Sequence, residues 1–189
     1  MKEKIAITID DKLLSRVDRT IDGDTIRNRS HAIEYFLNKA LGPKVEKALL
    51  IGGHADFSCA TFFEGKPIVE HHIESLKAYG VKEIVISLHK SEEDVQSILG
   101  DGASYGVKIL YHWQEEAIGT ARIVSLVKKF FGEDSFFVLY CHVAAHLDFA
   151  DFAAYHAETD VVATVALTSI QDPSLYGSVR VRGEKIVEF

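Results

Sequence analysis

The chain has 189 residues, 47% of them hydrophobic and 26% charged, and a formal net charge of −7. That composition favours a globular protein with a filled core, offers no run of about 18 apolar residues for a membrane span, and argues against binding nucleic acid over the whole surface. The charge is unevenly placed: residues 1–42 hold eight Lys/Arg against seven Asp/Glu, so the acidic excess lies beyond them. Met1 is followed by a charged, alternating segment rather than a basic stretch and an apolar block, so no signal peptide is expected. The two cysteines, Cys59 and Cys141, form no CxxC pair and fit a reducing compartment. The reading is a cytoplasmic protein without a membrane partner.

In chain order, Lys4-Ile5-Ala6-Ile7-Thr8-Ile9 alternates small or polar residues with β-branched apolar ones, the period of a strand with one buried face. Asp10 or Asp11 can cap a helix carrying Leu13, Leu14 and Val17 on one side. The turn Asp22-Gly23-Asp24 ends it. A second helix is expected from Asn28, with Ala32, Ile33, Phe36, Leu37 and Ala40 at helical spacing and Gly42 as its stop. Strand, helix, helix in about 40 residues buries too little to fold alone and leaves both strand edges unpaired, and pairing with a second copy answers both problems.

On the stretches "KIAITIDDKLLSRVD" and "RNRSHAIEYFLNKAL", residues 1–42 resemble the ribbon-helix-helix family of DNA-binding proteins. The resemblance implies a homodimer whose strands pair into a ribbon in the major groove of duplex DNA. With Ile5, Ile7 and Ile9 turned to the helices, Lys4, Ala6 and Thr8 would face the bases. Asn28, Arg29 and Ser30 would anchor phosphates at the start of the second helix. Gly42-Pro43 is read as the joint to a second domain, residues 43–189.

There, apolar runs alternate with amphipathic patterns: strand 47–51, helix 67–79, strand 82–88, helix 91–99, strand 107–112, helix 119–131, strand 136–140. Ser91 with Asp94 resembles a capping box. A helix near 148–156, a strand 161–168 and a hairpin over 177–189 turning at Gly183-Glu184 follow. Strand then helix, repeated, predicts a parallel sheet with helices on both faces. Ligands of such sheets bind beyond the carboxyl ends of the strands, which singles out Gly52-Gly53-His54-Ala55-Asp56; paired glycines let backbone N–H groups approach a phosphate, and a plain tight turn is the bland alternative.

The runs "ALLIGG", "GKPIVEHHIESLKAYGVKEIVISLH", "YGVKILYHWQEEAIGTA", "FFVLY" and "YGSVRVRGEKIVEF" are similar, in order, to the N-terminal part of the sugar-phosphate nucleotidyltransferases, or NDP-sugar pyrophosphorylases. The fold class implied is α/β: a dimeric ribbon-helix-helix arm, then a Rossmann-like, mainly parallel sheet of the nucleotidyltransferase type, truncated at its C-terminus. On the matching segments, Gln114, Glu115, Gly119 and Thr120 would border the nucleobase, and Tyr176-Gly177 the sugar. Together with Gly52 and Gly53 they make a vestigial nucleotide-sugar site.

Three features depart from that family. Its glycine loop runs through GGxGTRLxPLT, whereas "GGHADFSCATFFEGKP" has no Arg or Lys between Gly53 and Lys66, and Lys66-Pro67 matches a later "GKP" rather than the catalytic lysine. Such transfer relies on positive charge at the phosphates. Tyr140-Cys141-His142 stands where a Gly-Asp would hold magnesium, and neutral imidazole is a poor magnesium ligand. A second metal-binding aspartate lies beyond the family segment present, so the chain is either a fragment or a naturally short domain. No catalytic residue is assigned, and no cofactor is expected, magnesium entering only if the chain is an enzyme. Cys141, His142 and His146 are zinc-type ligands lacking a second close pair, Glu70, His71 and His72 point different ways on a helix, and Cys141 has no identifiable base to act as a nucleophile.

The resemblances together imply a dimeric DNA-binding regulator whose catalytically degenerate pyrophosphorylase-like domain is a sensor or scaffold. The alternative is an active sugar-1-phosphate nucleotidyltransferase carrying a dimerisation arm. A third reading is a dimerising scaffold that binds neither ligand.

Overall fold

The computed structural model describes residues 4–53, 58–116, 118–159, 161–169 and 177–188, without the side chains of residues 38 and 39. Residues Met1–Thr159 form one compact unit and Asp160–Phe189 a second.

In the first unit, residues 4–10 form no helix and pair with no strand among the described residues. Ile5 and Ile7 are 73% and 55% exposed, so the expected strand has no partner here to give it a buried face. Helix α1, Asp11–Asp18, starts where expected, because the Asp10 carboxylate accepts from the N–H groups of Lys12 (2.9 Å) and Leu13 (3.3 Å). Asp22 closes the acidic turn by accepting from Asp24 N (2.9 Å) and Ile26 N (2.8 Å). Helix α2, Arg29–Leu41, follows, with Asn28 Oδ1 accepting from His31 N at 3.0 Å. Val17, Ile26 and Ala32 make a small core between the two helices. Beyond α2 the chain is tied to the sheet region, since Tyr79 Oη donates to the Pro43 carbonyl at 2.6 Å.

Strands β1 (Lys47–Ile51), β4 (Glu83–His89), β5 (Lys108–Gln114) and β6 (Phe137–Tyr140) form a parallel sheet in the order β5-β4-β1-β6. Leu49 pairs with both Val85 and Val138, placing β1 in the middle, where a run such as Ala48-Leu49-Leu50-Ile51 is buried on both faces. One face is covered by α3 (Ile68–Tyr79), α4 (Glu93–Leu99) and α6 (Phe149–Glu158) through Val69, Ile73, Leu76, Val95, Leu99, Phe149 and Ala153. The other is covered by α5 (Thr120–Val127) through Ile123 and Val127. The expected alternation of strand and helix over 47–158 is therefore present.

Three expectations are corrected. The helix placed at 91–99 begins as a 3-10 turn, Lys90–Glu92, and Ser91 with Asp94 forms no capping box: His89 Nδ1 accepts from Ser91 N at 3.2 Å, while Glu92 turns inward. The strand at 161–168 does not form; these residues pair with nothing among the described residues, and Val162 is fully exposed. A hairpin of β2 (Phe62–Phe63) and β3 (Lys66–Pro67) was not foreseen; it turns at Glu64 and Gly65, both at positive φ (48° and 88°). In the second unit, β7 (Arg180–Arg182) and β8 (Lys185–Glu188) make the expected hairpin around Gly183-Glu184. No described helix is long and apolar enough to cross a membrane.

Candidate functional site

The carboxyl ends of β1, β4, β5 and β6 meet along one edge of the sheet. Gly52 leaves β1 there with its N–H donating to the Ser87 carbonyl (2.7 Å), and Cys141 N donates to Ile51 O (2.9 Å) from the far side. A Cβ on Gly52 would stand 2.4 Å from Glu92 Oε2 and 3.0 Å from Ser87 O, so the turn requires glycine for close approach. Gly53 is buried beside it. His54, Ala55 and Asp56 lie outside the described residues. The carboxylate of Glu92, buried at the end of β4, accepts from Cys59 N at 3.0 Å and so fastens the far side of this loop.

Gln114, the last residue of β5, is only 5% exposed. Its amide donates to Ser87 O (3.3 Å) and Ser87 Oγ (3.0 Å), and Ser87 Oγ lies 3.0 Å from His112 Nδ1. The His112 pKa is held below its ordinary value by burial first and by Lys129 second. Glu115 is exposed, 3.6 Å from Lys90. Gly119 caps α5 without a side chain, and a Cβ added there would meet nothing within 4 Å. Thr120 Oγ1 and Tyr140 Oη share a 2.6 Å hydrogen bond that ties the start of α5 to the end of β6. Gly52, Gly53, Gln114, Gly119 and Thr120 are thus all at strand ends or at the helix start that follows one. Gly177 is exposed in the second unit, and Tyr176 lies outside the described residues.

Sequence reasoning missed Ser87, His112, Glu92 and Tyr140. The legible signal was a lone serine in the otherwise apolar run 84–88 of β4 and a histidine in Lys108–Gln114. Polar side chains inside buried strands need partners.

The donor set at the end of β6 does not fit magnesium. It offers a phenol, a buried thiol and an imidazole where a hard cation needs carboxylate or carbonyl oxygens. Among the described residues no three His, Cys, Asp or Glu side chains converge as metal ligands. His72 is buried, and its Nε2–H donates to Cys141 O at 3.2 Å. The Cys59 thiol is pushed upward by its hydrogen bond to Cys141 and by burial, which keeps Cys59 a thiol. Lys66 is paired with Glu74.

Of the residues expected to meet DNA, Lys4, Ala6 and Thr8 are exposed in the unpaired segment, and Ser30 is exposed at the start of α2. Asn28 is occupied as a helix cap, and Arg29 forms a two-pronged pair with Asp18 (2.6 and 2.8 Å).

Comparison with known proteins returns the family described as Nucleotidyl transferase over residues 60–189. The chain is 33% identical over 120 residues to a mannose-1-phosphate guanyltransferase of Yarrowia lipolytica, covering 62% of this chain and 33% of that protein. It is 34% identical over 113 residues to the low-salt glycan biosynthesis nucleotidyltransferase Agl11 of Haloferax volcanii, covering 59% and 32%. The chain thus spans about a third of the length of the curated relatives it matches. A crystal structure from Bacillus anthracis, described as a candidate glucose-1-phosphate thymidylyltransferase in complex with a sucrose, superposes with a TM-score of 0.67 and 26% identity over 77% of this chain and 63% of that one. These findings overturn the expectation of a DNA-binding regulator with a degenerate second domain. That expectation leaned on about 40 N-terminal residues, whereas the matched segment covers most of the chain and its relatives are named for transfer.

Proposed function

Because this chain belongs to the nucleotidyl transferase family, we propose that it serves nucleotidyl transfer to a sugar phosphate. In that reaction a phosphate oxygen of the sugar phosphate bonds to the α-phosphorus of a nucleoside triphosphate, and the bond to the departing pyrophosphate breaks. Gly52, Gly53, Gln114, Glu115, Gly119 and Thr120 are the proposed nucleotide-side residues and Gly177 the proposed sugar-side residue. The observation that carries the reading is the pairing, on the carboxyl edge of the sheet, of a buried Gln114 amide with a helix start that has no side-chain cap. No catalytic residue is assigned, and no step is routed through magnesium, because the residues at the end of β6 do not suit it.

The test is a titration of the whole chain with GTP and dTTP, followed by an assay of pyrophosphate release with mannose 1-phosphate and glucose 1-phosphate. Nucleotide binding that weakens about tenfold or more in Gln114→Ala, with release requiring both substrates, is expected. Absence of binding at millimolar nucleotide would overturn the reading.

We also infer that residues 4–9 are a pairing strand that joins two copies of the chain, supported by their alternating apolar pattern and the exposure of Ile5 and Ile7.

A further inference from the structure

We propose that Glu92 is a positioning residue: its buried carboxylate braces the Gly52-Gly53 turn against Cys59, and so holds the backbone of that turn where it receives the phosphates of a nucleotide. The inference deepens the nucleotide-binding reading above and rests on it.

Glu92 stands directly before α4, where an acidic side chain ordinarily accepts from the first N–H groups of its own helix. It makes no such bond. Lys90–Glu92 form a 3-10 turn that carries the side chain inward instead, until only 2% of the residue is exposed. One carboxylate oxygen, Oε1, accepts from Cys59 N at 3.0 Å, and Cys59 is itself fully buried in the core that packs under α3 and α4. The other, Oε2, is enclosed with no hydrogen-bond partner among the described residues and lies where a Cβ on Gly52 would fall. Each of these features costs stability: a cap is forgone, a carboxylate is taken out of water, and one of its oxygens is left unsatisfied. Packing alone does not require them, since an apolar side chain of similar size fills a buried place at lower cost. A cost of this kind, carried beside residues proposed to hold a ligand, marks a side chain retained for position.

The sheet by itself holds the turn in one direction only. Gly52 N donates to Ser87 O (2.7 Å) and Cys141 N to Ile51 O (2.9 Å), and both are ladder bonds that run across the strands. Movement out of the sheet towards α3 and α4 is stopped by the Glu92 carboxylate, which is tied in turn to Cys59. Paired glycines give a phosphate close approach to backbone N–H groups. No Lys or Arg lies between Gly53 and Lys66 to draw in a phosphate that sits too far away. Where binding depends on short-range backbone dipoles, the position of the turn decides the affinity, and errors of about 1 Å matter.

The experiment is calorimetric titration of the whole chain, and of its Glu92→Ala and Glu92→Gln variants, with GTP and dTTP and with guanosine and thymidine. Glu92→Ala is expected to weaken the better-bound nucleotide about tenfold or more and to leave its nucleoside within about twofold, because the brace acts on the phosphates and not on the base. Glu92→Gln keeps an acceptor for Cys59 N and the same bulk at Gly52, and is expected to restore most of the loss. Unchanged nucleotide affinity in a folded Glu92→Ala, an equal loss for nucleotide and nucleoside, or a Glu92→Gln as weak as Glu92→Ala overturns this inference alone. Where the nucleoside is too weak to titrate, the comparison of the two variants decides. If either variant does not fold, amide exchange at Cys59 in the unaltered chain decides: a brace coupled to the site gains protection when the nucleotide binds, and unchanged exchange overturns it. No binding of GTP or dTTP by the unaltered chain overturns the proposed function and this inference with it.

Discussion

Glu92 reaches back from the turn after β4 and sets one carboxylate oxygen on Cys59 N and the other where a side chain at Gly52 would stand. That second oxygen, Oε2, is enclosed and has no hydrogen-bond partner among the described residues. The glycine turn and the carboxylate therefore occupy one packed volume, and neither can grow without displacing the other. Gly52→Ala forces a contact of 2.4 Å with Glu92 Oε2 and one of 3.0 Å with backbone at Ser87, and backbone cannot swing away. It is expected to lower stability by about 1–3 kcal/mol, as overpacking of a filled site does. The midpoint of urea unfolding reports it, and an unchanged midpoint would show that the turn has slack. Gly119 makes the contrast: open space surrounds it, so alanine there should leave the same midpoint almost where it was.

At the scale of elements, local chemistry accounts for where helices start and neighbours account for what strands become. Asp10, Asn28 and Asp148 each accept from backbone N–H groups at the first turn of α1, α2 and α6, a capping interaction confined to a few consecutive residues. Residues 4–9 have the alternation of a strand and no partner strand among the described residues, and Ile5 and Ile7 stay exposed. If two chains pair there, sedimentation equilibrium of the whole protein at micromolar concentration returns a dimer, and Ile7→Lys returns a monomer because a charge enters the buried face. A monomeric wild type, or a dimeric Ile7→Lys, rules out pairing through this strand.

At the scale of the whole molecule, two histidines couple stability to pH. His72 and His112 are both held below the ordinary value of 6.5, chiefly by burial, with nearby His71 and His142 adding to the shift at His72 and Lys129 at His112. Each is neutral in the folded chain, while the unfolded chain takes up its protons as pH falls past about 6.5. The contribution is complete above that value and is lost as pH falls from it towards the lower folded values. The melting temperature should drop on acidification across this window, and less steeply in His72→Gln; a flat or rising profile would contradict the shifts. The strand and helix pattern over 47–158 was legible in the sequence because burial on both faces of a parallel strand and on one side of a helix imposes different periods on apolar residues. So were the caps at Asp10 and Asn28 and the terminal hairpin, since each depends on neighbours within a few positions, whereas the capping box expected at Ser91 and Asp94 gave way to a 3-10 turn. The family resemblance gave Gln114 and Gly119, but not what holds them. Ser87 and His112 lie 25 residues apart on different strands and meet only because β4 and β5 pair in that register. Glu92 reaches Cys59 across 33 residues, and the strand expected at 161–168 pairs with nothing among the described residues. Local propensity acts through the covalent chain and is written in it; the direction of a buried amide and the occupancy of a strand edge depend on atoms that folding alone brings together.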